Sequence, residues 1–197
     1  EVLETTRQVD TIVLDKTGTV TSGSMSLVDV LVEAGESADD VLRIGGALEG
    51  ASEHPIARAI AQAAHERFAA LPPVADFANL EGLGVQGIVD DGGSSHAVLV
   101  GRPRLLAEWS MYLSADLARA VADAQDQGRT AVAVGWDGTA RGVLVVADAI
   151  KATSAEAIAQ LRALGLEPVL LTGDSTAVAV SVARAVGIEP GPDTVIA

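Results

Sequence analysis

Two short segments at opposite ends of the 197-residue chain share one construction, and it limits the fold more than any other feature. Val9–Leu14 reads VDTIVL and leads into Asp15; Glu167–Leu171 reads EPVLL and leads into Thr172-Gly173-Asp174. A short apolar run closed by a polar turn is the pattern of a buried strand whose carboxyl end carries polar groups. In open α/β sheets, ligands collect beyond the carboxyl ends of the strands. Asp15 and Thr172 therefore meet if their strands are neighbours. The stretch between them is far longer than one crossover, so the simplest arrangement inserts a second module between two parts of one sheet.

The inserted stretch has a different style. Ser37–Gly50 places Val41, Leu42, Ile44 and Leu48 on one helical face. A second helix opens at Ser52–Pro55 and runs through Ile56, Ile60 and Ala64 to about Phe68. Leu71–Val74, with two prolines, reads as a connector. From Phe77 to Gly101 short strands alternate with turns. Asp91-Gly92 is a hairpin signal, and Asp137-Gly138 joins a second pair, Thr130–Trp136 and Arg141–Ala147. Helices are expected at Pro103–Trp109, Ala115–Gln127, Ser154–Leu164 and Ala177–Val186. Gly45-Gly46 marks close helix packing, and Trp109 and Trp136 read as core or module-edge residues.

Composition removes whole classes of function. There are 27 acidic against 13 basic residues, a net charge of −14. Such a surface repels phosphate backbones and anionic lipid, which argues against a nucleic-acid partner. For so acidic a protein to bind a phosphate-bearing ligand, a cation and aimed backbone N–H groups must offset the repulsion. The absence of Cys excludes disulfides and thiolate metal sites within the chain. The longest apolar runs, such as Ala97–Gly101 and Gly142–Ala147, are too short to span a bilayer. With Glu1 in place of Met and no signal-peptide pattern, the chain reads as a soluble intracellular piece of a longer protein.

Asp15-Lys16-Thr17-Gly18-Thr19 carries the most chemistry. A carboxylate at a strand end is held rigidly and can attack phosphorus in line, forming an acyl phosphate. Gly18 lets the backbone turn N–H groups toward a phosphoryl group, and Mg²⁺ would offset the converging negative charge. A lone Asp in such a place would more simply be a solvated turn. The pentapeptide as a whole resembles the phosphorylation motif of the P-type ATPases, which are built on the haloacid-dehalogenase-like fold. Other motifs stand in the same order as in that family. Thr172-Gly173-Asp174 is similar to its TGD. Asp148-Ala149-Ile150-Lys151 is similar to the DxxK-type segment that opens the second part of its phosphorylation domain. Ser52-Glu53-His54-Pro55 and Gly82-Leu83-Gly84 are similar to the SEHP and GxG elements of the heavy-metal-transporting branch.

The resemblance covers nearly the whole chain and implies an architecture. Residues 1–25 and 144–197 would form the two parts of an α/β haloacid-dehalogenase-like phosphorylation domain with a Rossmann-type parallel sheet, its second part incomplete. Residues 26–143 would form an inserted α+β antiparallel-sheet nucleotide-binding domain. It also implies roles. Asp15 is the nucleophile and a Mg²⁺ ligand. Thr17 gives its carbonyl to Mg²⁺ and contacts phosphate, while Lys16 belongs to the motif. Thr172 hydrogen-bonds the phosphoryl oxygens, with Gly173 beside it, and Asp148 and Asp174 help to hold ATP. Glu53 and His54 frame the adenine, and Gly82, Gly84 and Gly101 let the backbone approach the nucleotide.

Thr17 separates two activities. Soluble phosphatases of this fold carry a second Asp there as general acid/base, and a Thr cannot move that proton near neutral pH. Two departures stand against the family pattern. Arg102 follows Gly101 where the heavy-metal branch has Asn. The family's GDGxND segment and a phosphate-site lysine lie beyond TGD, past the end of this chain, so the sheet and Mg²⁺ site should both be incomplete. The implied function is the ATP-binding cytosolic part of a heavy-metal pump, with Cu⁺ the commonest ion of that branch. The implied partners are membrane helices, an actuator domain and the rest of the phosphorylation domain, at the cytoplasmic face of a membrane. A soluble phosphatase of the same fold and a nucleotide-binding module without chemistry remain open alternatives.

Overall fold

In the structure, a computed structural model that describes residues 9–197, the two end segments are neighbouring parallel strands. β1 (Thr11–Asp15) pairs with β8 (Glu167–Leu171) in a register that sets Asp15 opposite Leu171. β9 (Val195–Ile196) lies on the other side of β8, completing a parallel sheet of order β1-β8-β9. Parallel neighbours need a crossover, and α6 (Thr176–Ala185) supplies the one from β8 to β9. Leu170, Ile158, Ala183, Val186 and Ile188 form the core, with α5 (Ser154–Ala163) contributing Ile158. β1 is not buried on both faces, as its run of apolar residues predicts. Leu14 packs against this core, whereas Val13 points the other way and is 54% exposed.

The strands, helices and turns divide into two compact units. The first holds residues 9–24, Asp126–Gly128 and Asp148–Ala197; the inserted unit holds Met25–Gln125 and Arg129–Ala147. The expected first segment, 1–25, is described only from residue 9. The chain passes between units within β2 (Thr21–Val32) and β7 (Thr139–Ile150). Both strands run beyond the segments whose patterns predict them, Leu27–Val32 and Arg141–Ala147, because the adjoining Thr21–Ser26 and Asp148–Ile150 also stay extended.

The inserted unit is built on a six-stranded sheet of order β2-β7-β6-β5-β4-β3. Its other strands are β3 (Val74–Leu80), β4 (Gly84–Asp91), β5 (Ser94–Gly101) and β6 (Thr130–Trp136). The pairs from β3 through β7 are antiparallel. Alternation along β6 assigns the faces: Val132, Val134 and Trp136 enter one core, Ala131 and Ala133 the other. α1 (Ala38–Glu49) and α2 (Pro55–Arg67) cover the first face through Leu48 and Ile60. α3 (Pro103–Glu108) and α4 (Ala115–Asp126) cover the second through Leu105, Leu106 and Val121.

Ser37 caps α1 by accepting from the Asp40 N–H at 3.3 Å. Gly46 allows α1 and α2 to touch, since a Cβ there would collide with the Ala64 methyl. Two sequence expectations change. Val74 is the first residue of β3 rather than connector. Trp136 is core, but Trp109 is 56% exposed, because α3 ends before it and Ser110 turns the chain with φ +60°.

Candidate active site

The carboxyl ends of β1 and β8 carry one group of chemically able residues. Asp15 ends β1 and is exposed. The next five residues, Lys16–Val20, make a wide turn closed by the Thr21 N–H donating to the Lys16 carbonyl. The turn depends on Gly18, whose φ of +79° suits a residue without Cβ. Beside it, the buried Thr172 anchors the end of β8: its N–H donates to the Ile196 carbonyl at 2.9 Å. Its Oγ1 accepts from the Asp174 N–H at 3.1 Å, which shapes the turn through Gly173.

Cations organise this end of the sheet. Lys16 Nζ lies 2.5 Å from Asp174 Oδ2. The Lys16 ammonium holds the Asp174 carboxyl below the usual carboxylate range. Lys151 Nζ donates to the Gly18 carbonyl at 2.6 Å, and its N–H donates to the Val20 carbonyl at 3.1 Å. Ser154 Oγ donates to the same carbonyl at 2.7 Å. Asp148 is turned toward the start of β2. Its carboxylate accepts from Thr21 Oγ1 at 2.6 Å and from the Gly23 N–H at 3.0 Å.

A second group lines a cleft of about 320 Å³ in the inserted unit. His54, Gly82, Gly84, Gly101 and Arg102 are on its wall. His54 is the N-cap of α2, with Pro55 in the first turn. Its Nδ1 accepts from the Ile56 N–H at 3.3 Å, which leaves Nε2 to carry the proton of the neutral ring and to donate outward. Gly84 and Gly101 are register partners. A Cβ on Gly84 would strike the Val100 carbonyl, and one on Gly101 the Leu83 carbonyl. The close approach of these two strands alone requires both glycines. Gly82, with φ +72°, faces open space.

Glu53 is exposed and is not on the cleft wall. Glu49 is, and it is only 5% exposed. Burial pushes its carboxyl up to about 7. Sequence reasoning passed over Glu49, although its spacing announces it: Leu42, Gly45, Gly46 and Glu49 fall at i, i+3, i+4 and i+7 on a buried helix face. In the sequence Lys151 stands out only as the end of Asp148-Ala149-Ile150-Lys151. Its contact with Gly18 depends on the paired strand ends and has no local signal.

Across residues 9–197 the sequence matches the family of haloacid dehalogenase-like hydrolases. The chain belongs to that family. Its parallel sheet, with Asp15 at the end of β1, and its inserted antiparallel sheet are the two parts of the expected haloacid-dehalogenase-like architecture. This member is 43% identical over 189 residues to the probable copper-exporting P-type ATPase V of Mycobacterium tuberculosis (strain ATCC 25618 / H37Rv), covering 96% of this chain and 24% of that protein. It is equally 43% identical over 189 residues to the copper-exporting P-type ATPase of Mycobacterium leprae (strain TN), covering 96% of this chain and 23% of that one. The chain thus spans about a quarter of the length of these relatives. Among solved structures, it superposes on a zinc-transporting PIB-type ATPase in the E2.Pi state with a TM-score of 0.77 and 29% identity, over 92% of this chain and 28% of that one.

Proposed function

We propose that this haloacid-dehalogenase-like chain is the ATP-handling part of a heavy-metal P-type ATPase, and that Asp15 accepts the γ-phosphate of ATP. The observation that carries the reading is the register of β1 and β8, which sets Asp15 beside the Thr172 turn. An Asp15 carboxylate oxygen forms a bond to the γ-phosphorus as the bond to the β-γ bridging oxygen breaks, and ADP leaves. Thr172 Oγ1 and the backbone N–H groups of the Gly18 turn are the donors for the phosphoryl oxygens. Lys16 keeps Asp174 ionised, and Lys151 holds the turn in place.

The donor set suits Mg²⁺. The Asp15 carboxylate and Thr17 carbonyl are hard oxygens. No cluster of three or more His, Asp or Glu gathers among the described residues, and Mg²⁺ is usually held by one or two carboxylates together with substrate phosphates and water. When bound, it would neutralise charge between Asp15 and the phosphates. Thr17 supplies no general base, so the aspartyl phosphate outlives that of a phosphatase and can drive a transport cycle. The relatives are named as copper exporters, and Cu⁺ export is the transport assigned to the whole pump. The rest of that pump, with membrane helices and an actuator domain, is its partner on the cytoplasmic face. Among the described residues no helix is long and apolar enough to cross a membrane.

The nucleotide is assigned to the cleft of the inserted unit. His54 Nε2–H and the Glu49 carboxyl face the base, with Gly82 giving open backbone and Arg102, the cationic group on the wall, facing the phosphates. Glu53 lies outside that wall and is assigned to the cleft mouth. A nucleotide titration of wild type against His54→Gln and Glu49→Gln tests this: each variant should weaken ATP by about tenfold, the effect of one hydrogen bond in a desolvated pocket. Equal affinity in both would remove the assignment.

A further inference from the structure

A second cavity lies in the inserted unit, on the sheet face opposite α1 and α2. Its volume is about 410 Å³, in the range of small-molecule pockets. Strand alternation explains its chemistry. Val85, Val89, Val98 and Val100 point into the α1–α2 core, so Gln86, Ile88, Ala97 and Leu99 point the other way. α3 and α4 bury Leu99 but leave Ile88 37% exposed. The exposed indole of Trp109 and the thioether of Met111 complete the apolar lining.

Asp76 and Asp137 also line this cavity, and its wall carries no Lys or Arg among the described residues. The Asp137 carboxylate is held by His96 Nδ1 at 2.6 Å, on the α1–α2 face with Trp136; Asp76 has no ion-pair partner among the described residues. Asp76 also has a left-handed backbone, φ +51°, where the β3–β4 register shifts between Ala75 and Ala78. No hairpin turn requires that conformation. A bulge of this kind re-aims a side chain, and here the side chain it turns lines the cavity.

We propose that this cavity binds a small amphipathic organic cation. Its aromatic or branched aliphatic body packs against Ile88, Leu99 and Met111. Its ammonium group meets the Trp109 indole face and the Asp76 carboxylate. The net charge of −14 favours a cation here and repels an anion. The site is separate from the nucleotide cleft, with which it shares no lining residue.

The test is a titration with phenethylammonium, followed by the Trp109 indole N–H resonance, beside its neutral isostere 2-phenylethanol and the anion 3-phenylpropionate. The cation should saturate the site and bind about tenfold tighter than the alcohol, with the anion weaker still. Asp76→Asn removes charge while keeping a residue that tolerates a left-handed backbone; it should weaken the cation and leave the alcohol unchanged. Asp137→Asn, at the carboxylate held by His96, should weaken the cation less. Trp109→Ala, followed by calorimetry because this variant lacks the indole resonance, should weaken the cation about fivefold. Unchanged ATP affinity in all three variants shows that the unit remains folded. Equal binding of cation and alcohol, or indifference of the cation to Asp76→Asn, would overturn the proposal.

Discussion

Lys16 Nζ stands 2.5 Å from Asp174 Oδ2, so the residue after the β1 aspartate is tied directly to the turn that follows β8. The Lys16 side chain is only 12% exposed. The pair fixes two loops across the strand ends and keeps a carboxylate charged beside the proposed phosphoryl site. Lys16→Met should lower stability at pH 7 by about 1 kcal/mol, a figure already reduced for the exposure of Asp174. Asp174 has a depressed folded-state pKa, so the stabilisation is present above its unfolded value of about 4 and fades as pH falls through the folded one. Urea unfolding of wild type and variant at pH 7 and pH 3 should show the difference shrinking at the lower pH.

Glu49 has the opposite sign. Burial raises its folded-state carboxyl to about 7, so the folded protein binds a proton there that the unfolded chain releases near pH 4. Stability should fall as pH rises from about 4 to 7, by up to about 3 kcal/mol, and level off above that. Glu49→Gln should remove this part of the pH dependence. Thermal melts from pH 4.5 to 8 check it; parallel curves for wild type and variant would contradict the burial effect.

Gly46→Ala should cost about 1–3 kcal/mol, since the added methyl collides with that of Ala64 at the α1–α2 contact. Gly84→Ala should cost more, because the new Cβ strikes the Val100 backbone carbonyl, which cannot rotate away. Gly82→Ala meets open space and carries only its left-handed penalty, about 1 kcal/mol. Denaturant midpoints of the three variants should follow that order.

Thr17→Asp should shorten the life of the proposed aspartyl phosphate in the full-length protein, by supplying a proton carrier two residues after Asp15. Chase of the labelled intermediate with unlabelled ATP measures the decay. An unchanged decay rate would show that Thr17 does not protect the intermediate.

The parallel pairing of β1 with β8 was legible because both strands are short apolar runs ending in polar turns, and only a neighbouring arrangement brings Asp15 to Thr172. The hairpin at Asp137-Gly138 was legible for a local reason: Asp137 and Gly138 both adopt positive φ, which that residue pair favours. The ends of β2 and β7 were not, since the polar residues Thr21 and Asp148 are kept extended by their hydrogen bond to each other, across most of the chain. The exposure of Val13 and Trp109 was also hidden, because an apolar residue does not announce which face its neighbours leave open. At the site, the motif residues stand out through the resemblance of their short sequences to those of a known family. Glu49 has a signal in its spacing along a buried helix face, whereas Lys151 acts through a contact that exists only once the strand ends are assembled.

Phosphate acceptance by Asp15 is tested most directly by acid-quenched labelling of the full-length protein with ATP carrying a radioactive γ-phosphate, in wild type and Asp15→Asn. The wild type should take up label as an acid-stable, hydroxylamine-sensitive acyl phosphate, and Asp15→Asn should take up none while still binding ATP. Label that persists in Asp15→Asn would contradict the account.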